Sequence, residues 1–194
     1  MTDKAQGDEF MLHIHRSYLL SALMAAVLLI LSPALHADDK AKIDTGSQEA
    51  LEKLRSHSDK AGELVDKAVG VLVFPDVVKM GFGVGGQYGE GSLLVKDMPT
   101  SYFVTAGASF GLQVGAQVKS EVILFMTKEA LSKFQNSSGW RVGVDGSVAL
   151  IKLGGGGSID TAKINQPVVG FIFSNKGLMY NLTMEGTKIT RIAR

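Results

Sequence analysis

The chain has 194 residues, 23 of them glycine, no cysteine, and a formal net charge of +1 at neutral pH. Without cysteine there are no disulfides, thiolate metal sites or cysteine nucleophiles. Near-neutral charge gives no reason to expect a nucleic acid partner, which calls for a clearly basic face.

Taken in chain order, His13, His15 and Arg16 precede an uncharged apolar run from Tyr18 to Leu31, broken by Ser32, Pro33 and Ala34. That layout predicts a secretory signal peptide over residues 1–37, cleaved near Ala37. The run is short of the ~20 apolar residues that a membrane span needs. The expected location is periplasmic or exported, at most peripherally attached to a membrane. Residues 38–46 are polar and predicted to be flexible, and the domain is predicted to occupy 47–194.

Thr45 and Gln48 fit a capping box. Ala50, Leu51, Leu54, Ala61, Leu64, Val65 and Ala68 then recur at helical spacing. Two amphipathic helices are predicted, split within Ser56–Lys60 and stopped by Gly70. Val71–Phe74 reads as a buried strand ended by Pro75.

Between Lys79 and Leu94, glycine stands at 81, 83, 85, 89 and 91. Alternate residues of a strand face opposite ways, so one face here is nearly bare backbone. Repeated glycine in a strand marks close approach of another backbone or sharp curvature. A strand is predicted over Phe82–Val95, folded near Gly89, with a turn at Lys96–Thr100 and a strand at Ser101–Thr105. Strict alternation from Gly107 to Val118 and the run Glu121–Met126 predict further strands.

Thr127 is expected to cap a short helix reaching about Gln135. Trp140–Ile151 alternates again, with Val142, Val144, Val148 and Leu150 on one face, and Gly154–Gly157 reads as a loop. Strands are predicted at Val168–Phe173, Gly177–Thr183 and Lys188–Ile192. Strands do not alternate with helices, so the fold class is α+β. The expected architecture is N-terminal amphipathic helices packed on a glycine-rich, mostly antiparallel curved sheet or barrel, with one inserted short helix.

Several motifs fail on context. Gly81, Gly83 and Gly86 match the dinucleotide fingerprint, but Gln87-Tyr88-Gly89-Glu90-Gly91 cannot start the helix whose amides would hold a pyrophosphate. Gly107, Ser109 and Gly111 match a nucleophile elbow, but the surroundings read as strand and no histidine follows Ser109. His57 lacks metal-binding partners in sequence, and Glu121, Asp145, Asp160 and Glu185 are scattered. No catalytic residue, metal or cofactor is expected. Lys53, Arg55, Lys60 and Lys67 alternate with acids along the helical segment, and Lys79 precedes the glycine-rich strand.

Four segments resemble the SYLF domain family: residues 68–94 (AVGVLVFPDVVKMGFGVGGQYGEGSLL), 108–117 (ASFGLQVGAQ), 124–134 (LFMTKEALSKF) and 177–189 (GLMYNLTMEGTKI). The resemblance covers about Leu51 to Arg194. It implies binding rather than catalysis, by contact of a basic, amphipathic N-terminal segment with anionic lipid, and Lys60 and Lys67 fall in that segment. Val69 stands where the family usually has a lysine. The yeast relatives also bind actin, which an exported chain would not meet, so actin is not an expected partner. The function expected is a non-catalytic lipid-binding module of the bacterial cell envelope. Lys60, Lys67 and Lys79 would meet phospholipid headgroups, with Phe74 and Trp140 at the acyl or interfacial region. The alternative is a structural module whose partner is an envelope protein.

Overall fold

The computed structural model describes residues 40–152, 165–174, 184 and 186–194. The expected signal peptide, the Gly154–Gly157 loop, the Gly177–Thr183 strand, Asp160 and Glu185 lie outside the described residues. The elements are α1 (Lys40–His57), α2 (Asp59–Lys67), β1 (Gly70–Val95), β2 (Met98–Phe125), α3 (Lys128–Gln135), β3 (Trp140–Arg141), β4 (Ala149–Lys152), β5 (Val168–Ser174) and β6 (Lys188–Ile192). The architecture is α+β, with the N-terminal helices packed on a curled sheet, as expected.

The first helix begins earlier than its sequence signal. Ile43 is buried and Gly46 lies against Pro75, so residues 40–46 are helical rather than loose, and Thr45 is exposed within the helix instead of capping it. The break between the helices falls at Ser58, whose extended backbone and side chain cap α2 through the Ala61 amide at 3.3 Å. Ala50, Leu51 and Leu54 of α1, with Ala61, Leu64 and Val65 of α2, pack on Val71, Val73, Val122, Leu124 and Phe171.

β1 and β2 form one antiparallel ribbon of 26 and 28 residues. Its turn is at Lys96 and Asp97, both with positive φ (53° and 61°), the conformation of a tight hairpin turn. β1 runs straight through Gly89, and β2 absorbs the predicted strands at 101–105, 107–118 and 121–126 into one. Pro75 does not end β1 either. It sits in a bulge between Phe74 and Val77, where a ladder amide is not required, and its carbonyl accepts the Ser120 hydroxyl at 2.7 Å.

The ribbon is folded back over itself. A methyl added at Gly85 would strike the Met80 carbonyl, one at Gly89 the Asp76 carbonyl at 2.8 Å, and one at Gly91 the Val73 carbonyl. The later half of β1 therefore returns along its earlier half at a separation that only glycine permits. The long β2 carries partners on both halves: β6 pairs with residues 102–106 and β5 with residues 119–125, both antiparallel. β3 adds to β6, and β4 adds to β5 in the parallel sense. Trp140–Ile151 is not one strand, because Gly143 at φ 87° opens a turn after Val142 and leaves Val144 exposed.

Inside the folded ribbon, Leu72, Phe74, Val77, Leu93, Phe103, Ile123 and Phe125 make the core. Thr127 caps α3 as expected, and that helix covers the core with Leu131 and Phe134. Phe134 lies 4.9 Å from the rings of both Phe103 and Phe125 and edge-on to Trp140 at 5.7 Å.

Candidate functional site

The residues singled out from sequence separate into two environments. Lys60 and Lys67 are exposed on α2. Seven residues apart, they stand on one side of the helix about 10 Å from each other. Phe74 (0% exposed) and Trp140 (3%) are core residues and offer no surface to a membrane. Lys79 is 6% exposed, on the inner side of the ribbon. Burial, and then the charge of Lys119, hold its ammonium below the usual lysine range. These three are thus withdrawn from headgroup contact by the inward face of β1 and by the packing of β3 against α3. The alternating pattern marked them as strand residues without saying which face turns in.

The surface feature beside Lys67 is a cleft of about 760 Å³. The two ends of the ribbon's first strand meet there: Val69 and Val71 at its start, Leu94 and Val95 at its finish. Leu51 of α1, Val65 of α2 and Leu131 of α3 complete an apolar lining. Gly70 makes room for this meeting, since a methyl there would stand 2.8 Å from the Leu131 side chain.

The rim is charged. Lys96 and Asp97 come from the β1–β2 turn, Lys128 from the first residue of α3, and Asp66 from the last turn of α2. Asp66 is neutralised by Arg55 at 2.5 Å across the two helices. Lys67, between the lining residues Asp66 and Ala68, has only an exposed i,i+4 contact with Glu63 at 3.7 Å, of a kind that contributes little. With Asp97 offsetting one of Lys96 and Lys128, and Glu63 beside Lys67, the rim keeps a small positive excess around an apolar floor. Met98, the cross-strand partner of Val95, is 67% exposed at the same turn. The arrangement suits an amphiphile: a hydrocarbon chain in the cleft and an anionic head among the lysines.

Lys96, Met98 and Lys128 were not among the residues expected from sequence. The turn chemistry of Lys96–Thr100 was legible, but its position beside α2 and α3 is a product of the ribbon's fold. His57 is exposed, with Nδ1 2.7 Å from the Lys53 carbonyl, a local helix-end contact. A helix-to-sheet contact joins Asp44 of α1 to the Tyr102 hydroxyl at 2.9 Å. Burial, with the Asp44 hydrogen bond and charge, pushes the Tyr102 phenol up to about 12.

A family model described as Ysc84, Las17-binding protein actin regulator, matches residues 106–193. Comparison with curated proteins gave no match. The matched segment starts within β2 and includes α3, so it supplies Lys128 and Leu131 to the cleft, while the rest of the lining precedes it.

Proposed function

We propose that this chain, whose residues 106–193 belong to the SYLF (Ysc84) family, is a non-enzymatic lipid-binding module that takes anionic phospholipid at the cleft beside α2. The supporting observation is the juxtaposition of an apolar cleft with Lys96 and Lys128 on its rim, Lys67 between two of its lining residues and Met98 exposed at the adjoining turn. Apolar insertion and attraction to anionic headgroups add in such a geometry, each basic residue near the surface contributing about 1 kcal/mol. The expected setting is the bacterial envelope, so the actin named in the family's description is not extended to this chain.

Vesicle co-sedimentation tests the reading. The protein is expected to pellet with phosphatidylcholine vesicles containing phosphatidylglycerol and much less with phosphatidylcholine alone. Reversing both Lys96 and Lys128 to glutamate should weaken binding at least about tenfold. Lys60→Glu, at the far end of α2, should weaken it less. Equal pelleting of the double variant would remove the cleft from the reading, and absence of pelleting would remove the lipid.

The alternative, a partner protein of the envelope, is favoured by one feature. Met80 (52% exposed) and Val118 (38%) lie diagonally on neighbouring strands of the ribbon. Crosslinking in intact cells that yields one dominant protein adduct through these positions, with no vesicle binding, would establish it.

A further inference from the structure

The inner face of the ribbon changes character toward its bend. Beyond the apolar core, it carries Lys79, Gln87, Thr105, Lys119 and Glu121, each at most 7% exposed. The register places them together. Lys119 is opposite Val77, two residues from Lys79 on the neighbouring strand, and Gln87 is two residues from Gly89, the partner of Thr105. The fold of the ribbon brings the two halves into contact, with Lys119 Nζ donating to Gln87 Oε1 at 3.0 Å. Lys119 also forms an ion pair with Glu121 at 2.7 Å.

Charge and hydrogen bonding are left unbalanced by one anion. Glu121 neutralises Lys119, but Lys79 has no hydrogen bond or ion pair among the described residues. Among the described residues, Gln87 Nε2 and Thr105 Oγ1 are buried without a hydrogen-bond partner, and Glu121 Oε1, also without one, has only the ion pair with Lys119. A buried ammonium without a counter-charge is strongly unfavourable, and each orphaned donor adds its own desolvation cost. A cation would be repelled by two ammonium groups. Water would satisfy the amide and the hydroxyl but leave the charge.

We propose that the bend of the ribbon is a binding site for a small oxyanion, a phosphate or a carboxylate, held by Lys79 Nζ, Gln87 Nε2 and Thr105 Oγ1. Charge-assisted hydrogen bonds from these groups would complete each donor at once. The site is distinct from the surface cleft and does not depend on the lipid reading. A headgroup still carrying its acyl chains would not reach so enclosed a position, so the ligand is a free anion.

Thermal unfolding of the full chain at fixed ionic strength tests this, with chloride replaced stepwise by inorganic phosphate or by acetate. Wild type is expected to show a saturable rise in Tm, about 3–6 °C at ten times Kd. Lys79→Met should lose the saturable part and keep only the general salt effect, for which it is the reference. Lys79→Arg, which retains the charge, should keep a response. Gln87→Glu, which places a carboxylate within the cluster, should raise Tm in chloride and abolish the response. A rise with phosphate alone assigns a tetrahedral anion, and a rise with acetate assigns a carboxylate. No saturable rise in wild type with either anion, or an equal rise in Lys79→Met, would overturn the proposal.

Discussion

The folded ribbon has two interiors. Toward its open end, Phe74, Leu93, Phe103 and Phe125 are buried under Phe134 and Trp140. Toward its bend, Lys79, Gln87, Lys119 and Glu121 occupy the same inner face of the same two strands. Close approach is enforced by glycine in both places, at Gly91 in the first and Gly85 in the second. The energetics are opposite. Each large apolar side chain fully buried contributes roughly 1.5–3 kcal/mol, whereas a buried ion pair is at best near balance and a lone buried ammonium is a loss. Stability is thus concentrated at the open end. The polar end is retained at a cost, which is what a site looks like when binding rather than folding justifies its residues.

The sharpest way to break this comparison is to add one methyl group inside the close approach and one outside it. Gly91→Ala pushes a methyl into the Val73 carbonyl and the Phe74 ring, within the apolar half. Backbone does not yield as a side chain does, so a loss of about 3 kcal/mol is expected by urea denaturation. Gly86→Ala is the control: its methyl would have the Gly107 carbonyl 3.7 Å away, ordinary contact, and the loss should stay within about 0.5 kcal/mol. Equal losses at both positions would mean that local strand entropy, not layer contact, accounts for the glycines.

Next in size is Lys79→Met, and here the sign reverses. In chloride at neutral pH the variant should be more stable than wild type by about 1–3 kcal/mol, because a charge is replaced by an apolar side chain of similar length. The pH dependence identifies the cause. Lys79 is held below its ordinary value of 10.5 in the folded state. The folded protein therefore releases this proton more readily than the unfolded chain, and the penalty is full below the folded value and vanishes as pH rises toward 10.5. The advantage of Lys79→Met should shrink over the same interval. A constant advantage across pH would assign it to packing. Glu121, which burial pushes up against the opposing pull of Lys119, is common to both proteins.

Much of this fold was legible in the sequence. Alternation marked the strands, helical spacing marked α1 and α2, Thr127 marked α3, and glycine at 85, 89 and 91 marked a close backbone approach. The misreadings share a cause. Pro75 was taken as a strand end and Gly89 as a fold point, yet a bulge accommodates the first and the facing carbonyl of Asp76 explains the second. Both depend on what lies across the chain, which a local pattern does not contain. The same holds for the candidate site. Lys67 was visible as a basic residue on an amphipathic helix, but its companions Lys96 and Lys128 are 29 and 61 positions later and meet it only because the ribbon's ends converge. Lys79 read as a surface lysine because charge usually is exposed. The bulge at Pro75–Asp76 shifts the register so that odd-numbered residues after it face inward with Phe74, and Lys79 is carried in with them.

The smallest effect tests a polar contact outside both interiors. Tyr102 projects from β2 toward α1 and shares its hydroxyl proton with both oxygens of Asp44 at 2.9 Å. Tyr102→Phe keeps the ring and removes that bond, so a loss of about 1 kcal/mol is expected near neutrality. With the phenol pushed up from 10 to about 12, the folded state holds its proton where the unfolded chain has released it. Stability from this group is complete below pH 10 and is lost as pH rises from about 10 to 12. Wild type should lose stability over that interval relative to Tyr102→Phe, until the two converge. If the difference between them stays flat through pH 12, the hydroxyl is free to ionise in the folded protein and does not hold α1 to the sheet. The N-terminal helix would then be fixed by its apolar face, through Ile43, Leu51 and Leu54, and by the buried hydrogen bond from the Ser92 hydroxyl to that of Ser47.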